Sequence, residues 1–97
     1  MGEGMKNFTY PAVIFSDNET GAAVIAIYDL NLFTEGDSVE EAHAQAKESL
    51  KRYIDGTIRY SLDFVEPTRF EEMRRKYPDK LVMLIECNVD DKNRVID

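Results

Sequence analysis

The chain has 97 residues and a formal net charge of −7, a length that corresponds to one domain. Nucleic-acid phosphates need clustered Lys and Arg, so this charge argues against direct binding to nucleic acid, and no apolar run approaches the roughly 18 residues of a membrane span. An acidic surface suits a basic protein partner, although acidity alone also keeps a protein in solution.

The first third of the chain predicts three strands. Residues 8–16 are rich in β-branched and aromatic residues, and Pro11 near their start indicates a strand that begins at an edge or with one unpaired position. A turn leads into the apolar run 22–29, and the two segments together predict a β-hairpin. Residues 30–35 predict a short third strand, which follows a tight bend at Asp29–Asn31.

A long helix is predicted over residues 38–60. Ser38 and Glu41 have the spacing of a capping box, in which the Ser38 hydroxyl accepts from the Glu41 amide and the Glu41 side chain reaches back to the Ser38 amide. Gly56 weakens this helix by roughly 1 kcal/mol relative to alanine. Apolar residues recur at three- and four-residue steps and form one stripe, which consists of Val39, Ala42, Ala46, Leu50, Tyr53, Ile54 and Ile58.

The last third of the chain predicts a short helix and a strand. Residues 61–67 are predicted to be extended, because a proline ends them. Thr68 and Glu71 have the spacing of a second capping box, which begins a short helix over residues 69–77. Residues 81–89 are the most hydrophobic stretch and predict a central, buried strand.

The order β-β-β-α-α-β predicts an α+β fold. Three strands form an antiparallel meander, and the long helix packs on the face that the meander cannot bury alone. The fourth strand returns to the sheet, and we expect it beside the first strand and parallel to it. Because the core is small and one strand begins at an edge, we also expect a homodimer or a higher oligomer.

The chain ends and the cysteine content add three expectations. We expect one domain over residues 1–97, with flexible tails at 1–7 and 91–97. The N-terminus is acidic and unlike a signal peptide, and Met5 offers a second start that would leave residues 1–4 outside the fold. Cys87 is the single cysteine and cannot form an internal disulfide, which fits a reducing, cytoplasmic location.

One long segment carries a resemblance to the N-terminal domain of the HicB family of antitoxins: YPAVIFSDNETGAAVIAIYDLNLFTEGDSVEEAHAQAKESL. Residues 10–14 match the family's opening Tyr-Pro-Ala-Val-Ile. Further matches lie at the end of the strand, at the helix entry and in the helix, namely Asp29, Leu30, Phe33, Thr34, Gly36, Asp37, Ser38, Glu40, Glu41, Ala42, Ala46 and Lys47. Pro67-Thr68 and the strand 81–89 extend the resemblance to residues 8–90.

The resemblance implies a partial ribonuclease-H-like fold that serves as a binding scaffold rather than as a nuclease. It also implies an antitoxin, which masks a small basic toxin, HicA, that resembles a double-stranded-RNA-binding domain and cleaves mRNA. We therefore predict a protein-binding domain that is not an enzyme and needs no cofactor. An orphan oligomeric HicB-like scaffold or regulatory domain without a toxin, and a small-ligand-binding domain, are the alternatives.

Two features differ from the family's pattern. The family's Pro-Gly-Cys turn is replaced by the shorter Leu30-Asn31-Leu32, in which Asn31 tolerates a positive φ. HicB proteins usually continue into a ribbon-helix-helix or helix-turn-helix segment that binds DNA, whereas this sequence ends eight residues after the last predicted strand. The resemblance thus implies toxin neutralisation and leaves operator binding in doubt.

Other chemistry has weaker support in the sequence. His43 is the only histidine and has no Cys or Asp at ligand spacing, so we interpret it as a packing or surface residue. The basic run 74–76 complements a helix dipole or binds phosphate. A metal-dependent nuclease would need several converging carboxylates, for which the candidates are Asp17, Asp29, Asp37 and Glu86.

We predict that a toxin contacts the bend before the third strand and the exposed end of the sheet. The acidic residues there are clustered in sequence, and the bend departs from the family's pattern. The predicted partner-binding residues are Asp29, Asn31, Glu35 and Asp37. The alternative is that these residues serve only the turn and the helix cap.

Overall fold

The structure, a computed structural model, describes residues 5–96. Within these residues four strands form one antiparallel sheet with the order β3-β2-β1-β4. The elements are β1 (Lys6–Ser16), β2 (Ala23–Ile27), β3 (Leu32–Gly36), α1 (Val39–Arg59), α2 (Phe70–Lys76) and β4 (Leu81–Val89). The α+β class and the order of the elements are confirmed, and each element begins and ends within two residues of its prediction.

The direction of the fourth strand was predicted wrongly. β4 lies beside β1, as expected, but it is antiparallel to it, and Tyr10 pairs with Ile85. A parallel return needs a single crossing of the sheet by one helix. Here α1 crosses one face, and residues 61–80 then bring the chain back to the end where β1 finishes. β4 must therefore run opposite to β1.

β1 begins with a neighbour on one side only, as Pro11 predicted, and becomes an inner strand of the sheet further along. Its N-terminal half, which includes Pro11, pairs with β4 alone, because the pairing with β2 begins only at Val13. β2 ends at Ile27, where a 3-10 turn formed by Tyr28–Leu30 leads the chain away from the sheet. Pro11 thus lies where β1 has one neighbour rather than two.

One face of the sheet, here called the first face, packs against α1 to form the main core. Ala42, Ala46, Leu50 and Ile54 of the predicted helix stripe are completely buried, which confirms the stripe, whereas Val39, Tyr53 and Ile58 pack at its border. The sheet contributes fully or almost fully buried side chains, namely Tyr10, Ala12, Ile14, Ala23, Ile25, Ile27, Ile85, Cys87 and Val89. Thr57 is also buried on this side of the helix, although the predicted stripe did not include it. Its hydroxyl donates to the Tyr53 carbonyl at 2.7 Å and so keeps a hydrogen-bond partner when buried.

The entry to α1 is a capping box with one altered contact. The Ser38 hydroxyl accepts from the Glu41 amide at 3.1 Å, as predicted. The Glu41 carboxylate, however, accepts from the amide of Asp37 at 2.5 Å and not from that of Ser38. Gly36 is required just before this cap, since a Cβ there would lie 2.6 Å from the Ala42 nitrogen.

The second face of the sheet is covered only in part, by α2. Met73 of α2 is buried, as are Val13 and Ala26 in the sheet below it. The predicted capping box of α2 does not form, because the helix begins after Arg69 without a side-chain cap. No helix within the described residues has the length and apolar character needed to cross a membrane.

The described residues near both chain ends contribute to the sheet or to a turn beside it. Lys6 begins β1 and pairs with Val89. Residues 90–94 form a turn in which the Asp90 amide donates to the Arg94 carbonyl, and Val95 then pairs with Val89 on the side away from β1. The expectations for residues 1–4 and 97 lie outside the described residues.

The tight contact between α1 and the sheet generates a stability prediction. Ala46→Leu should lower the free energy of unfolding by roughly 1–3 kcal/mol, because added methylenes overpack a closed core. Ala44→Leu is the matched control, since Ala44 lies on the exposed side of the same helix. Equal urea denaturation midpoints for the two variants would place Ala46 outside the contact.

Candidate partner-binding surface

β3 presents an open edge with alternating side chains. Leu32 and Thr34 face α1, and the Thr34 hydroxyl donates to the Ala42 carbonyl at 3.1 Å. Phe33 and Glu35 therefore lie on the second face. Phe33 is 55% exposed, which is unusual for a phenylalanine in a strand and marks this edge as a candidate contact site.

Tyr28 packs against the exposed phenylalanine and is itself stacked on Tyr77. The Tyr28 ring meets Phe33 edge to face, with ring centroids 5.7 Å apart, and stacks on Tyr77 at 5.2 Å with an interplanar angle of 4°. Partial burial, followed by a hydrogen bond with Tyr77, raises the pKa of the Tyr28 hydroxyl. The result is a fixed aromatic surface that leads from α2 to the sheet edge.

Acidic side chains gather at the far end of β3. Glu35 and Asp37 line a shallow depression of about 800 Å³ together with Asp17 and Glu41. Lys80 is the basic residue among those that line it, and its ammonium group lies over the Phe15 ring, 5.4 Å from the centroid. The depression is thus bordered by more negative than positive charge and suits a basic partner.

Asp29 has a structural role that the sequence did not reveal. One carboxylate oxygen accepts from the Thr68 hydroxyl at 2.6 Å and the other from the Thr68 amide at 2.8 Å. This pair of bonds joins the bend before β3 to the segment before α2. It also explains why Thr68 does not cap α2.

The four predicted partner-binding residues occupy two places along β3. Asn31 has a φ of 56°, as its tolerance of positive φ predicted, and its amide donates to the Tyr28 carbonyl. Asn31 and Asp29 lie at the start of the strand, and Glu35 and Asp37 lie at its end. Asn31, Glu35 and Asp37 are exposed, whereas Asp29 is half-buried.

We define the β3 surface as the exposed residues Val24, Tyr28, Asn31, Phe33, Glu35 and Asp37. The sequence analysis did not predict the aromatic residues of this surface as partner-binding residues. Phe33 was noted only as a match to the family pattern, because a phenylalanine in a short strand ordinarily indicates a core position. Only the knowledge that β3 is an edge strand with a partly uncovered face could have identified it.

The four nuclease candidates do not form one site, although Asp17 and Asp37 line the same depression. Glu86 accepts from the Asn7 side chain at 2.8 Å on the second face, at the opposite edge of the sheet from β3, and Asp29 is held by Thr68. Among residues 5–96, no group of three or more His, Cys, Asp or Glu side chains is arranged to hold a metal ion.

Comparisons with known proteins bear on this arrangement. A family model described as the HicB-like antitoxin of bacterial toxin–antitoxin systems matches residues 10–95. The crystal structure of the N-terminal domain of the Burkholderia pseudomallei antitoxin HicB is similar in fold, with a TM-score of 0.69, 15% identity, and coverage of 80% of this chain and 95% of that chain. The crystal structure of the antitoxin HicB of the same organism gives a TM-score of 0.68 at 15% identity, covering 80% of this chain and 60% of that chain. No curated protein matches the chain.

The bond pair between Asp29 and Thr68 is testable by substitution. Thr68→Val keeps the shape of the side chain and removes the hydroxyl, so the free energy of unfolding should fall by about 1–3 kcal/mol, as expected for a half-buried hydrogen bond to a carboxylate. Thr68→Ser retains the hydroxyl and should be much closer to wild type in the same chemical denaturation experiment. If the two variants lose the same stability, the hydroxyl does not hold the bend.

Proposed function

The chain belongs to the HicB-like antitoxins of bacterial toxin–antitoxin systems, and from this membership we propose that it binds and masks a small, basic, HicA-like toxin. The toxin would cleave mRNA, so we place this activity in the cytoplasm. On this proposal the chain acts by protein binding and not by catalysis, and it needs no cofactor.

The observation that carries the proposal is the combination of exposed aromatic and acidic groups on the β3 surface. Protein interfaces commonly have an apolar centre with aromatic residues and a polar rim. Here Phe33 would supply the centre, and Glu35 and Asp37 would supply the rim. A toxin face that binds RNA phosphates is basic, so these carboxylates would compete with RNA for the same Lys and Arg side chains.

The four residues predicted from the sequence then take different parts in the proposed interface. Glu35 and Asp37 are exposed and would contact the toxin through charge. Asn31 is exposed at the other end of the strand and would border the contact. Asp29 would act indirectly, because its bonds to Thr68 fix the bend from which β3 begins.

We also propose that the chain self-associates, and that it makes no direct contact with nucleic acid. The net charge of −7 supports the second statement, because a duplex repels an acidic protein.

Charge reversal on the β3 surface tests the location of the interface. Glu35→Lys combined with Asp37→Lys should weaken binding to a HicA-like toxin from a neighbouring gene by about tenfold or more, because attraction is replaced by repulsion. The control combines Glu48→Lys with Asp91→Lys, which changes the net charge equally at exposed positions away from β3. Both affinities are measured by calorimetry.

Equal affinity of the two double variants would move the interface elsewhere on the molecule. Absence of toxin binding by the wild-type chain would reject the antitoxin proposal. An orphan oligomeric scaffold or regulatory domain would then be the better account.

The salt dependence of binding kinetics gives a second test. Exposed charges act mainly on the encounter of two proteins, and salt screens them. Raising the salt concentration from about 50 to about 500 mM should therefore slow toxin association far more than it speeds dissociation. Surface plasmon resonance measures both rates. An association rate that does not depend on salt would contradict an electrostatic contribution from the acidic rim.

A further inference from the structure

We propose that the outer edge of β4 is the interface through which the chain self-associates. A second copy would add its own β4 antiparallel to the first and extend the sheet across a two-fold axis. This inference rests on the proposed self-association, for which it names the surface, and it does not require that a toxin binds.

Along most of its length, the outer edge of β4 has no strand partner among residues 5–96. Its inner side pairs with β1 through all nine residues. On its outer side, among the described residues, only the C-terminal end is occupied, where Val95 pairs with Val89 and the Ile96 amide donates to the Asn88 carbonyl. This edge therefore already accepts an antiparallel segment at one end, and no described residue pairs with its outer side along residues 81–86.

β4 lacks the features that protect exposed strand edges from pairing. Natural edges are usually short, or carry Lys, Pro or a bulge. β4 has nine residues, contains neither Lys nor Pro, and has Glu86 as its only charged residue. The other edge strand, β3, has five residues and ends in an acidic cluster. A second acidic copy would consequently pair with β4 at much lower electrostatic cost than with β3.

Two leucines of β4 are exposed in a way that the isolated chain does not explain. Leu81 is 67% exposed and Leu84 is 50% exposed, and they point to opposite faces of the sheet. An added strand would cover part of both, because cross-strand neighbours lie about 5 Å apart on each face. Pairing with a second β4 would thus cover exposed apolar surface on both faces of the sheet.

Charge complementarity selects a register for the pair. If Met83 lies opposite Met83 of the second copy, both α1 helices lie on the same side of the extended sheet. Lys80, which directly precedes β4 and whose ammonium lies over the Phe15 ring in the single chain, then lies opposite Glu86 of the second copy, and both residues belong to the second face. The two-fold axis makes this pairing twice. Leu84 meets Val82 of the second copy in the same register.

The proposed interface leaves the toxin site open. β3 and β4 are the two opposite edges of the sheet. A dimer joined through β4 would therefore present two β3 surfaces at its far ends.

The oligomeric state of the full chain tests the interface. Sedimentation velocity should show a wild-type dimer, and Leu84→Lys should raise its dissociation constant about tenfold or more, because each dimer loses two apolar contacts and gains two charges. Phe33→Lys, the same kind of change on the other edge strand, should leave the dimer intact. Circular dichroism confirms that both variants are folded.

The outcomes separate failure of the interface from failure of self-association. A wild-type monomer at high micromolar concentration would overturn both proposals, whereas a dimer broken by Phe33→Lys and not by Leu84→Lys would overturn the β4 interface alone. The register has its own test. Lys80→Glu and Glu86→Lys should each weaken the dimer, and the double variant should restore it. A double variant no tighter than the single ones would reject this register.

Discussion

The close packing of α1 on the first face of the sheet is the contact on which the rest of the structure depends. Ala42 and Ala46 are completely buried, and their small side chains bring the helix backbone near the strands. The helix entry is equally tight, since a Cβ at Gly36 would collide with the Ala42 backbone. These contacts fix where β3 ends and so determine which side chains its open edge presents.

The segment that follows α1 is fixed by hydrogen bonds to β1 and to the bend before β3. Tyr10 donates its hydroxyl to the Val65 carbonyl at 2.5 Å, and burial raises the pKa of Tyr10 to about 12, so this donor remains protonated far above neutral pH. The Phe8 and Phe64 rings stack beside it, with centroids 4.5 Å apart. Together with the bonds between Asp29 and Thr68, these contacts guide the chain from the first face to the second, which makes β4 antiparallel to β1.

Local sequence patterns predicted the helices and strands, but they did not predict the contacts between residues far apart in the chain. Apolar periodicity identified the buried stripe of α1, and turn and cap residues identified the bend at Asn31 and the helix start at Ser38. The direction of β4 depends on the second crossing of the sheet, which no local pattern encodes. The Thr68 pattern was misread for a related reason, because its hydroxyl prefers a carboxylate 39 residues away to the first turn of its own helix.

The candidate site was likewise predicted only in part from local sequence patterns. Acidic residues near β3 were visible in the sequence, but their separation into Glu35 and Asp37 at one end and Asp29 and Asn31 at the other follows from the fold. Phe33 resembled a core residue until β3 was seen to be an edge strand. The sheet therefore has two different edges: β3 is short and ends in an acidic cluster, and β4 is longer and has Glu86 as its one charged residue.

Inhibition of RNA cleavage tests the central claim most directly. A purified HicA-like toxin from a neighbouring gene is given a labelled RNA and increasing amounts of this chain. If the chain is an antitoxin that occupies the RNA-binding face, cleavage should decline in proportion to added chain and stop at equimolar protein. Cleavage that continues undiminished in a molar excess of folded chain would contradict the account.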